Sequence, residues 1–306
     1  MEIRPIKPGE ERAAAALVYE LTRGAAPEAG ELGTFLEQAA ALKTDLSRQV
    51  VAVAPEGTMV GCAMYFPLGD GSATVMTPLC KAGFDVAEVH VGLLRALIGK
   101  ARAEEVRMLQ VFTEEHDART HATLEESGFE KLAVLVFMER NVTPADRNIA
   151  PDKQIRWIPW AAGRETEFAD VIGRTYRGTL DCRKLGESRD PSATLESYRV
   201  RNEIDPSLWL LAEVDGEIAA CLLLLYHSEE NAYEVGYVGV VPEHRGKGLG
   251  RKVMEKGLLE VALRSSETKM RLAVDEENIP AVNVYQALAF VVSERKQVHF
   301  SLLATS

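Results

Sequence analysis

The chain has 306 residues, enough for two domains of ordinary size, and its 46% hydrophobic and 26% charged residues are typical of a soluble globular protein. Its net charge of −11 disfavours nucleic acid or an anionic membrane as the main partner, because contacts with phosphate groups need a basic surface. No apolar run approaches the ~20 residues that span a bilayer, and residues 1–12 lack the apolar core of a signal peptide, so we expect no membrane partner and a cytoplasmic location.

The N-terminal half shows a series of predicted elements: strand, helix, helix, hairpin, strand, helix, strand, helix, strand. Alternating and helical apolar periodicities place these elements, and Glu56-Gly57 marks the turn of the hairpin. In chain order the predicted ranges are residues 3–6, 11–21, 32–46, 50–54 with 59–66, 73–78, 89–102, 108–112, 120–126 and 132–139.

The C-terminal half repeats this series after a polar segment with two prolines, residues 141–154. Asp215-Gly216 marks its hairpin. The long helix has an apolar face made of Val253, Met254, Leu258, Val261 and Ala262. In chain order the predicted ranges are residues 155–160, 163–176, 192–202, 208–214 with 217–226, 233–241, 249–263, 270–274, 281–288 and 295–302.

A series of elements that occurs twice indicates a divergent repeat. We predict domains at residues 1–145 and 155–306, joined by a linker at residues 146–154. The mixture of hairpins and strand–helix–strand units predicts an α/β (α+β) fold, in which each domain has a mostly antiparallel mixed sheet flanked by helices.

Residues 240–250, V-V-P-E-H-R-G-K-G-L-G, join a predicted strand to the long helix through a glycine-rich turn. The first N–H groups of a helix have no partner within the helix, and glycines let the backbone approach an anion closely. Arg245 and Lys247 add positive charge, so the turn is predicted to bind a pyrophosphate. A surface turn that is merely rich in glycine and cations is the alternative. The sequence fits neither a Walker loop nor a dinucleotide-binding fingerprint.

The cysteines and histidines show no spacing typical of a metal site. Cys62, Cys80, Cys182 and Cys221 are far apart in the sequence and form no C-x-x-C pair. We therefore expect buried or unreactive thiols and no metal.

Two motifs of the C-terminal half resemble those of the GNAT superfamily of N-acetyltransferases. Arg245-x-x-Gly248-x-Gly250 is similar to the [RQ]-x-x-G-x-[GA] signature of that family. The second motif of the family resembles residues 275–290, through Asn278, Ala281, Asn283, Tyr285 and Phe290. The order and separation of the motifs agree with the family. Ala289 departs from it, because the family usually has glycine before this phenylalanine, and we expect this change to alter a helix end.

The resemblance implies acetyl-CoA as co-substrate and a set of residues that bind it. The turn after Arg245 would hold the pyrophosphate, with Gly246, Lys247, Gly248, Gly250 and Arg251. The strand before the turn would separate from its neighbour and pair with the pantetheine arm through Val238, Val240 and Val241, and the amide of Val240 would polarise the thioester carbonyl. Asn278 would donate to the pantetheine, and Asn283 belongs to the same implied set.

The resemblance also implies direct attack of an amine on the thioester, which needs no enzyme nucleophile. Tyr285 would protonate the departing thiolate, and the alternative is a core aromatic residue at helical spacing. Glu234 is the candidate base, because several family members carry a carboxylate on this strand. A solvated carboxylate at the start of a strand is an equal alternative, and deprotonation through water is a third. His244 is interpreted as a surface residue.

The long polar segment at residues 177–191 corresponds to the segment that covers the acceptor in the family. Asp181, Glu187 and Asp190 are candidates to meet a cationic amine. Cys182 is a candidate acceptor-site thiol, with an inert buried cysteine as the more frequent alternative.

The N-terminal half has lost the elements of a cofactor site. Aligning the halves places other residues at the positions of Arg245, Gly248 and Gly250, namely Ala82, Asp85 and Ala87. Leu124 stands where the other half has Tyr285. A carboxylate at Asp85 would repel a pyrophosphate, so we predict that this half is a degenerate GNAT-like domain that binds no CoA and braces the catalytic half or walls its acceptor site. Tandem GNAT proteins with one degenerate half include the mycothiol synthases, and this sequence is similar to them in layout.

The predicted function is an acetyl-CoA-dependent N-acetyltransferase (acyltransferase) that moves an acetyl group directly to a primary amine of a small molecule, peptide or protein. The alternative is a non-catalytic acetyl-CoA-binding sensor or scaffold module. Both need the pyrophosphate site, but only the enzyme needs Tyr285. A longer acyl donor is a third reading.

Overall fold

The computed structural model describes residues 1–28, 30–41, 44–186, 189–201, 205–265 and 267–303. The chain forms two compact units. Unit 1 comprises Met1–Leu132 and Gln297–Ser306, and unit 2 comprises Ala133–Lys296. Over the described ranges, none of the helices is both long enough and apolar enough to cross a membrane.

Unit 1 is a mixed sheet with helices. Its strands are β1 (Glu2–Pro5), β2 (Gln49–Val53), β3 (Met59–Pro67), β4 (Ser72–Cys80) and β5 (Met108–Glu114), in that spatial order, followed by the C-terminal end of β12 (Val291–Leu302). Its helices are α1 (Glu11–Arg23), α2 (Glu31–Ala41), α3 (Val86–Ala103) and α4 (Ala118–Glu126). Neighbouring strands pair antiparallel from β1 to β4, and β4 pairs parallel with β5.

Unit 2 repeats the plan. Its strands are β6 (Glu130–Val142, from residue 133 onward), β11 (Thr268–Asp275), β10 (Ala232–Val240), β9 (Glu217–His227), β8 (Trp209–Val214) and β7 (Ile155–Pro159), in that spatial order. Its helices are α5 (Glu165–Tyr176), α6 (Pro191–Arg201), α7 (Leu249–Arg264) and α8 (Ile279–Ala287). Only the β10–β11 pair is parallel among the strand pairs described for this unit.

Each unit takes one strand from the other half of the sequence, so the units differ from the predicted division at residues 145 and 155. In unit 2, β6 pairs antiparallel with β11 from Thr268↔Val142 to Asp275↔Leu135. In unit 1, the Thr113 hydroxyl donates to the carbonyl of Gln297 at 3.0 Å. The sequence places these strands last in their own series and contains no signal of the exchange.

The predicted linker is packed against unit 2. A short 3-10 helix spans Pro144–Asn148. The mostly buried Asp146 carboxylate accepts from Arg140 at 2.8 Å, and Arg147 Nε donates to the carbonyl of Ala262 on α7 at 2.9 Å. These contacts fix the segment, whereas its polar composition alone indicated a spacer.

The hydrophobic pattern of the C-terminal half forms the core as predicted. The five residues of the predicted apolar face of α7 are all fully buried, namely Val253, Met254, Leu258, Val261 and Ala262. They belong to one core cluster with β8, β9 and β11. Burial of a large aliphatic side chain stabilises a fold by roughly 1.5–3 kcal/mol, so this face holds α7 against the sheet along most of its length. The predicted turn at Asp215-Gly216 also forms, with both residues at positive φ (53° and 82°).

Candidate active site

Strands β10 and β11 pair only at the start of β10 and then separate. Their parallel pairing covers Ala232↔Lys269 to Glu234↔Arg271, whereas the pairing of β10 with β9 continues to Val240↔Ala220. The register with β9 shifts between Val235 and Tyr237, which marks a bulge. The edge of β10 that faces β11 is therefore open beyond residue 234, as the family resemblance implied.

Two glycines allow β10 to take this path. A Cβ on Gly236 would lie 2.9 Å from Leu225 Cδ1 and 3.0 Å from Tyr198 Cε1. A Cβ on Gly239 would lie 2.7 Å from the hydroxyl of Thr175 on α5. Glycine inside a strand is a sequence signal for a bulge or a close approach, and this signal was present but not used in the prediction.

Successive N–H groups of β10 point alternately toward β9 and away from it, which shows which of them face the open edge. The N–H of Val241 donates to Ala219 O on β9 at 2.9 Å, and the Val241 side chain is fully buried. Because successive amides of a strand point to opposite sides, the N–H groups of Val238 and Val240 face away from β9. The structure therefore offers Val240 as an oxyanion donor, while the single backbone donor of Val241, a predicted cofactor residue, is committed to the sheet.

The glycine loop leads into α7 without a side-chain cap. Gly248 is the N-cap residue of α7, with φ 80° and no side-chain hydrogen bond, and Gly246 has φ 73°. A Cβ on either glycine would meet no atom within 4 Å, so the loop borders open space. A Cβ on Gly250 would lie 3.8 Å from Val240 Cγ2, which brings the loop next to the end of β10. The unsatisfied N–H groups of the first helical turn can therefore receive an anion.

Arg245 is engaged with the protein backbone instead of standing at the rim of the loop. Its guanidinium donates to four carbonyl groups, those of Val240 (2.9 Å), Thr175 (2.7 Å), Arg177 (2.8 Å) and Gly178 (2.9 Å). Three of these carbonyls terminate α5, where helical C=O groups lack partners and a cation is favourable. Burial lowers the pKa of the guanidinium from its usual value. Arg245 thus connects the end of α5, the end of β10 and the loop.

The two other cations of the loop are solvent-exposed. Lys247 lies between the two glycines, and Arg251 Nε donates to Glu255 one turn along α7 at 2.8 Å. Lys247 is therefore the loop cation that is best exposed to meet a ligand's phosphates.

Asn278 and Tyr285 both lie on α8. Asn278 is the N-cap residue, and its Oδ1 accepts from the N–H of Ala281 at 3.4 Å. Its amide nitrogen is then the group that can donate to a pantetheine. Tyr285 is 6% exposed, and burial raises its pKa, with a further contribution from Asp181. The phenol therefore stays protonated at neutral pH, the form that an acid needs. Asn283 is exposed on the same helix.

Ala289 occupies the left-handed region, with φ 63°, directly after α8. Its N–H donates to Gln286 O at 2.9 Å, and the N–H of Phe290 donates to Tyr285 O at 3.0 Å. This is a helix C-terminus of the kind that favours glycine, so the departure from the family adds strain at a helix end.

The acceptor segment is fastened to the end of β11 by two reciprocal carboxylates. Asp181 Oδ1 accepts from the N–H of Asp275 at 3.0 Å, and Asp275 Oδ2 accepts from the N–H of Cys182 at 2.9 Å. Burial raises the pKa of Asp181. Burial also raises the pKa of the Cys182 thiol to about 12, which keeps it protonated and unreactive, and its backbone has φ 47°.

The other carboxylates of this segment do not form a cluster with Asp181 in the described structure. Asp190 Oδ1 accepts from Ser192 N at 2.9 Å and Ala193 N at 3.2 Å, so it caps the start of α6. Glu187 lies outside the described residues.

The sequence prediction missed a group of tyrosines beside the acceptor segment. The rings of Tyr176 and Tyr237 meet edge to face at 6.4 Å, and Arg189 lies with its Cζ 5.9 Å from the centre of the Tyr176 ring. Tyr198 donates to Gly236 O at the bulge at 2.5 Å. These contacts hold α5, α6 and the acceptor segment against β10. A groove of about 750 Å³ lies between α5 and α6 and includes Arg177, but none of the predicted catalytic residues lines it.

Glu234 occupies the last parallel pair before β10 and β11 separate. Its Oε2 lies 2.8 Å from Nε2 of His227, and the side chains are 38% and 23% exposed. The predicted base therefore lies at the point where the open edge begins, with a partner that the prediction did not include.

In unit 1, the helix that corresponds to α7 has a carboxylate at its N-cap position. Asp85 is the N-cap residue of α3, and its Oδ1 accepts from the N–H groups of Ala87 at 3.0 Å and Glu88 at 3.1 Å. Gly83, at the position of Gly246, has φ 95°. Asp85 therefore accepts hydrogen bonds from the first N–H groups of α3, whereas Gly248 has no side chain that could do this at the start of α7. Leu124, at the position of Tyr285, is fully buried.

No group of three or more metal-ligating side chains occurs in the part of the chain that the structure describes.

An open strand edge beside an uncapped, glycine-rich helix N-terminus is the arrangement that the resemblance of the two sequence motifs led us to expect. Comparison with known proteins agrees, since residues 176–290 match the acetyltransferase (GNAT) family. A mycothiol acetyltransferase of Thermomonospora curvata is 30% identical over 255 residues, which are 81% of this chain and 80% of that protein. The chain therefore belongs to the GNAT acetyltransferase family, and it is an enzyme of that type.

Further relatives match different shares of the chain. A mycothiol acetyltransferase of Stackebrandtia nassauensis is 29% identical over 247 residues, 77% of this chain and 76% of that protein. One of Streptomyces griseus is 39% identical over 100 residues, so the match spans 33% of this chain and only 32% of that protein.

Solved structures show the same fold. A GCN5-related N-acetyltransferase from Sphaerobacter thermophilus has a TM-score of 0.60 at 20% identity and covers 99% of this chain and 95% of its own. A tandem GNAT protein from the clavulanic acid biosynthesis pathway has a TM-score of 0.57 at 19% identity and covers 100% and 99%. Both support a fold of two tandem GNAT-like units.

Proposed function

We propose that this protein transfers an acetyl group from acetyl-CoA directly to a primary amine. The observation that carries the proposal is the adjacency of two open backbone surfaces, the edge of β10 beyond Glu234 and the N-terminus of α7 at Gly248. The first is suited to a ligand with amide groups, and the second to an anion. Acetyl-CoA combines both in one molecule.

The residues divide into a donor site and a reacting centre. Amides of residues 246–251 would hold the pyrophosphate, with Lys247 adding charge. Val238 and the amide nitrogen of Asn278 would bind the pantetheine arm, and the N–H of Val240 would donate to the thioester oxygen, where negative charge develops in the transition state.

The chemistry then needs three proton transfers. Glu234 takes a proton from the ammonium form of the acceptor, and the neutral nitrogen attacks the thioester carbon. The carbon–sulfur bond breaks, and the neutral phenol of Tyr285 is the group that donates a proton to the departing thiolate. The acylated nitrogen gives up its second proton, which returns Tyr285 to its neutral form, and Glu234 releases its proton to solvent.

The N-terminal unit would bind no CoA, because its equivalent helix is capped by Asp85. The proposal therefore specifies one acetyl-CoA per chain. The acceptor is proposed only as a class, and the two relatives that match most of the chain make amines related to mycothiol the first to be screened.

Calorimetric titration with acetyl-CoA tests the donor site. We expect one site per chain in the wild type and none in Gly248→Asp, which places in unit 2 the carboxylate cap that unit 1 carries. Gly248→Ala is the matched control, because it has the same backbone strain without the charge and should retain most of the affinity. Two sites per chain would contradict the reading of unit 1, and no binding would refute the proposal.

Turnover is tested separately. Release of CoA thiol is measured with mycothiol-related amines, amino acid amides, hexosamines and lysine peptides. Binding without turnover on any amine would leave an acetyl-CoA sensor as the better reading.

A further inference from the structure

The pairing of His227 with Glu234 is an arrangement that the donor site does not require. His227 is the last residue of β9 and Glu234 is the third of β10. His227 is the register partner of Ala232 and Glu234 that of Leu225, so the two are diagonal neighbours on one face of the hairpin. Their side chains meet at 2.8 Å.

Three elements supply the charged groups around this pair. Glu234 comes from β10 and Glu230 from the turn after β9, where it interacts electrostatically with His227. Arg271 on β11 is the register partner of Glu234, but its guanidinium is hydrogen-bonded to Glu230. Arg271 is thus engaged by another carboxylate, and the side-chain partner that the structure describes for Glu234 is an imidazole.

This choice of partner matters for a base. An arginine beside a carboxylate holds the carboxyl group ionised at every working pH and makes it a weak proton acceptor. An imidazole does so only when it is protonated, and imidazole changes its charge between pH 5 and 8. The neutral imidazole can still donate one hydrogen bond, which orients the carboxylate without reducing its basicity to the same degree.

We propose that His227 is a positioning residue that holds Glu234 at the point where β10 and β11 separate. This rests on the proposed function, because it assumes that Glu234 takes the proton of the acceptor. The imidazole donates its Nε2–H to the carboxylate, and Glu234 accepts the proton from the ammonium nitrogen and releases it to solvent after the amine has attacked.

The test compares two replacements of His227 by kcat and by the KM for the acceptor at pH 8, with the amine of highest turnover in the wild-type screen as probe. His227→Gln keeps a hydrogen-bond donor, and we expect kcat within about threefold of wild type. His227→Leu removes the donor, and we expect kcat to fall about tenfold with little change in the KM, the effect of one lost hydrogen bond to a charged group.

Acetyl-CoA affinity by calorimetry and the melting temperature are measured for both variants. Neither quantity should differ from the wild type, because the pyrophosphate loop and β10 remain. A structural role alone would lower the melting temperature of both variants and would not leave kcat higher in His227→Gln than in His227→Leu.

The outcomes separate the two proposals. A wild type that acetylates amines, with a kcat that is unchanged in His227→Leu or is reduced equally in both variants, would overturn the role of His227 alone. A wild type that binds no acetyl-CoA or acetylates no amine would overturn both. An unchanged rate in Glu234→Gln would show that another group takes the proton, and His227 would lose its role with it.

Discussion

The Arg245→Met substitution tests whether the guanidinium of Arg245 holds the glycine loop in place or binds the cofactor directly. The guanidinium donates to four backbone carbonyls, of which Thr175, Arg177 and Gly178 belong to the end of α5. A hydrogen bond to a charged group contributes on the order of 1.5–3 kcal/mol. Because Arg245 is only partly buried and solvent screens it, we expect the four together to contribute about 2–4 kcal/mol to the free energy of unfolding.

Two readouts are compared in Arg245→Met, urea denaturation and calorimetric titration with acetyl-CoA. We expect the free energy of unfolding to fall by the amount given above and the affinity to fall at least about tenfold, because the amides of residues 246–251 are no longer held in place. Both losses should persist at high salt, since they come from short-range hydrogen bonds and not from long-range charge.

Lys247→Met is the matched control on the same loop. It removes an exposed cation, so stability should stay unchanged. Affinity should fall by about threefold at low salt and recover at high salt. The reasoning would be refuted by an Arg245→Met protein that is as stable as the wild type and loses affinity in a salt-dependent way, since its guanidinium would then bind phosphate directly.

Three further predictions follow from single residues. Ala289→Gly should raise the melting temperature by about 1–3 °C because it removes left-handed strain, and Gly128→Ala, at the equivalent position of unit 1 with φ 91°, should lower it by a similar amount. Asp181→Asn keeps the acceptor oxygen for Asp275 N–H, so acetyl-CoA affinity should not change, whereas the KM for a cationic acceptor should rise. Because burial raises the pKa of Asp181, the wild type loses stability as pH rises through that pKa, and the Asn variant should not show this loss in denaturation series at different pH. Tyr285→Phe should lower kcat by about 100-fold without changing acetyl-CoA affinity, measured by steady-state kinetics and calorimetry.

Local chemistry made much of unit 2 predictable. The apolar periodicity of α7, the Asp215-Gly216 turn and the glycine loop are each determined by residues close together in the sequence. Asp85 is the same kind of case, because a carboxylate before a helical pattern is a preferred N-cap.

Contacts between distant segments were not predictable. The side chain of Arg245 was interpreted as a source of positive charge for phosphate, but its partners Thr175, Arg177 and Gly178 lie at and just after the end of α5. The exchange of the last strand between the series depends on which sheet edge is available, and periodicity gives no information on this. The His227–Glu234 pair likewise depends on the register of a hairpin, which the sequence constrains only near its turn.

The two units allow a direct comparison, because the equivalent helix has a carboxylate at its N-cap in unit 1 and a glycine in unit 2. The N–H groups at the start of a helix can serve either a side-chain cap or a ligand, and in unit 1 Asp85 takes them at 3.0 and 3.1 Å. Replacing an aspartate cap by glycine costs a helix roughly a few tenths of a kcal/mol, a small loss of stability that ligand binding can offset. Gly248 provides no side-chain cap for α7, and Arg245 stabilises the loop by donating to carbonyl groups at the end of α5. The loss of binding expected in unit 1 therefore needs no change of fold. One carboxylate at the cap position is sufficient, provided that nothing in the unit still requires the open N-terminus.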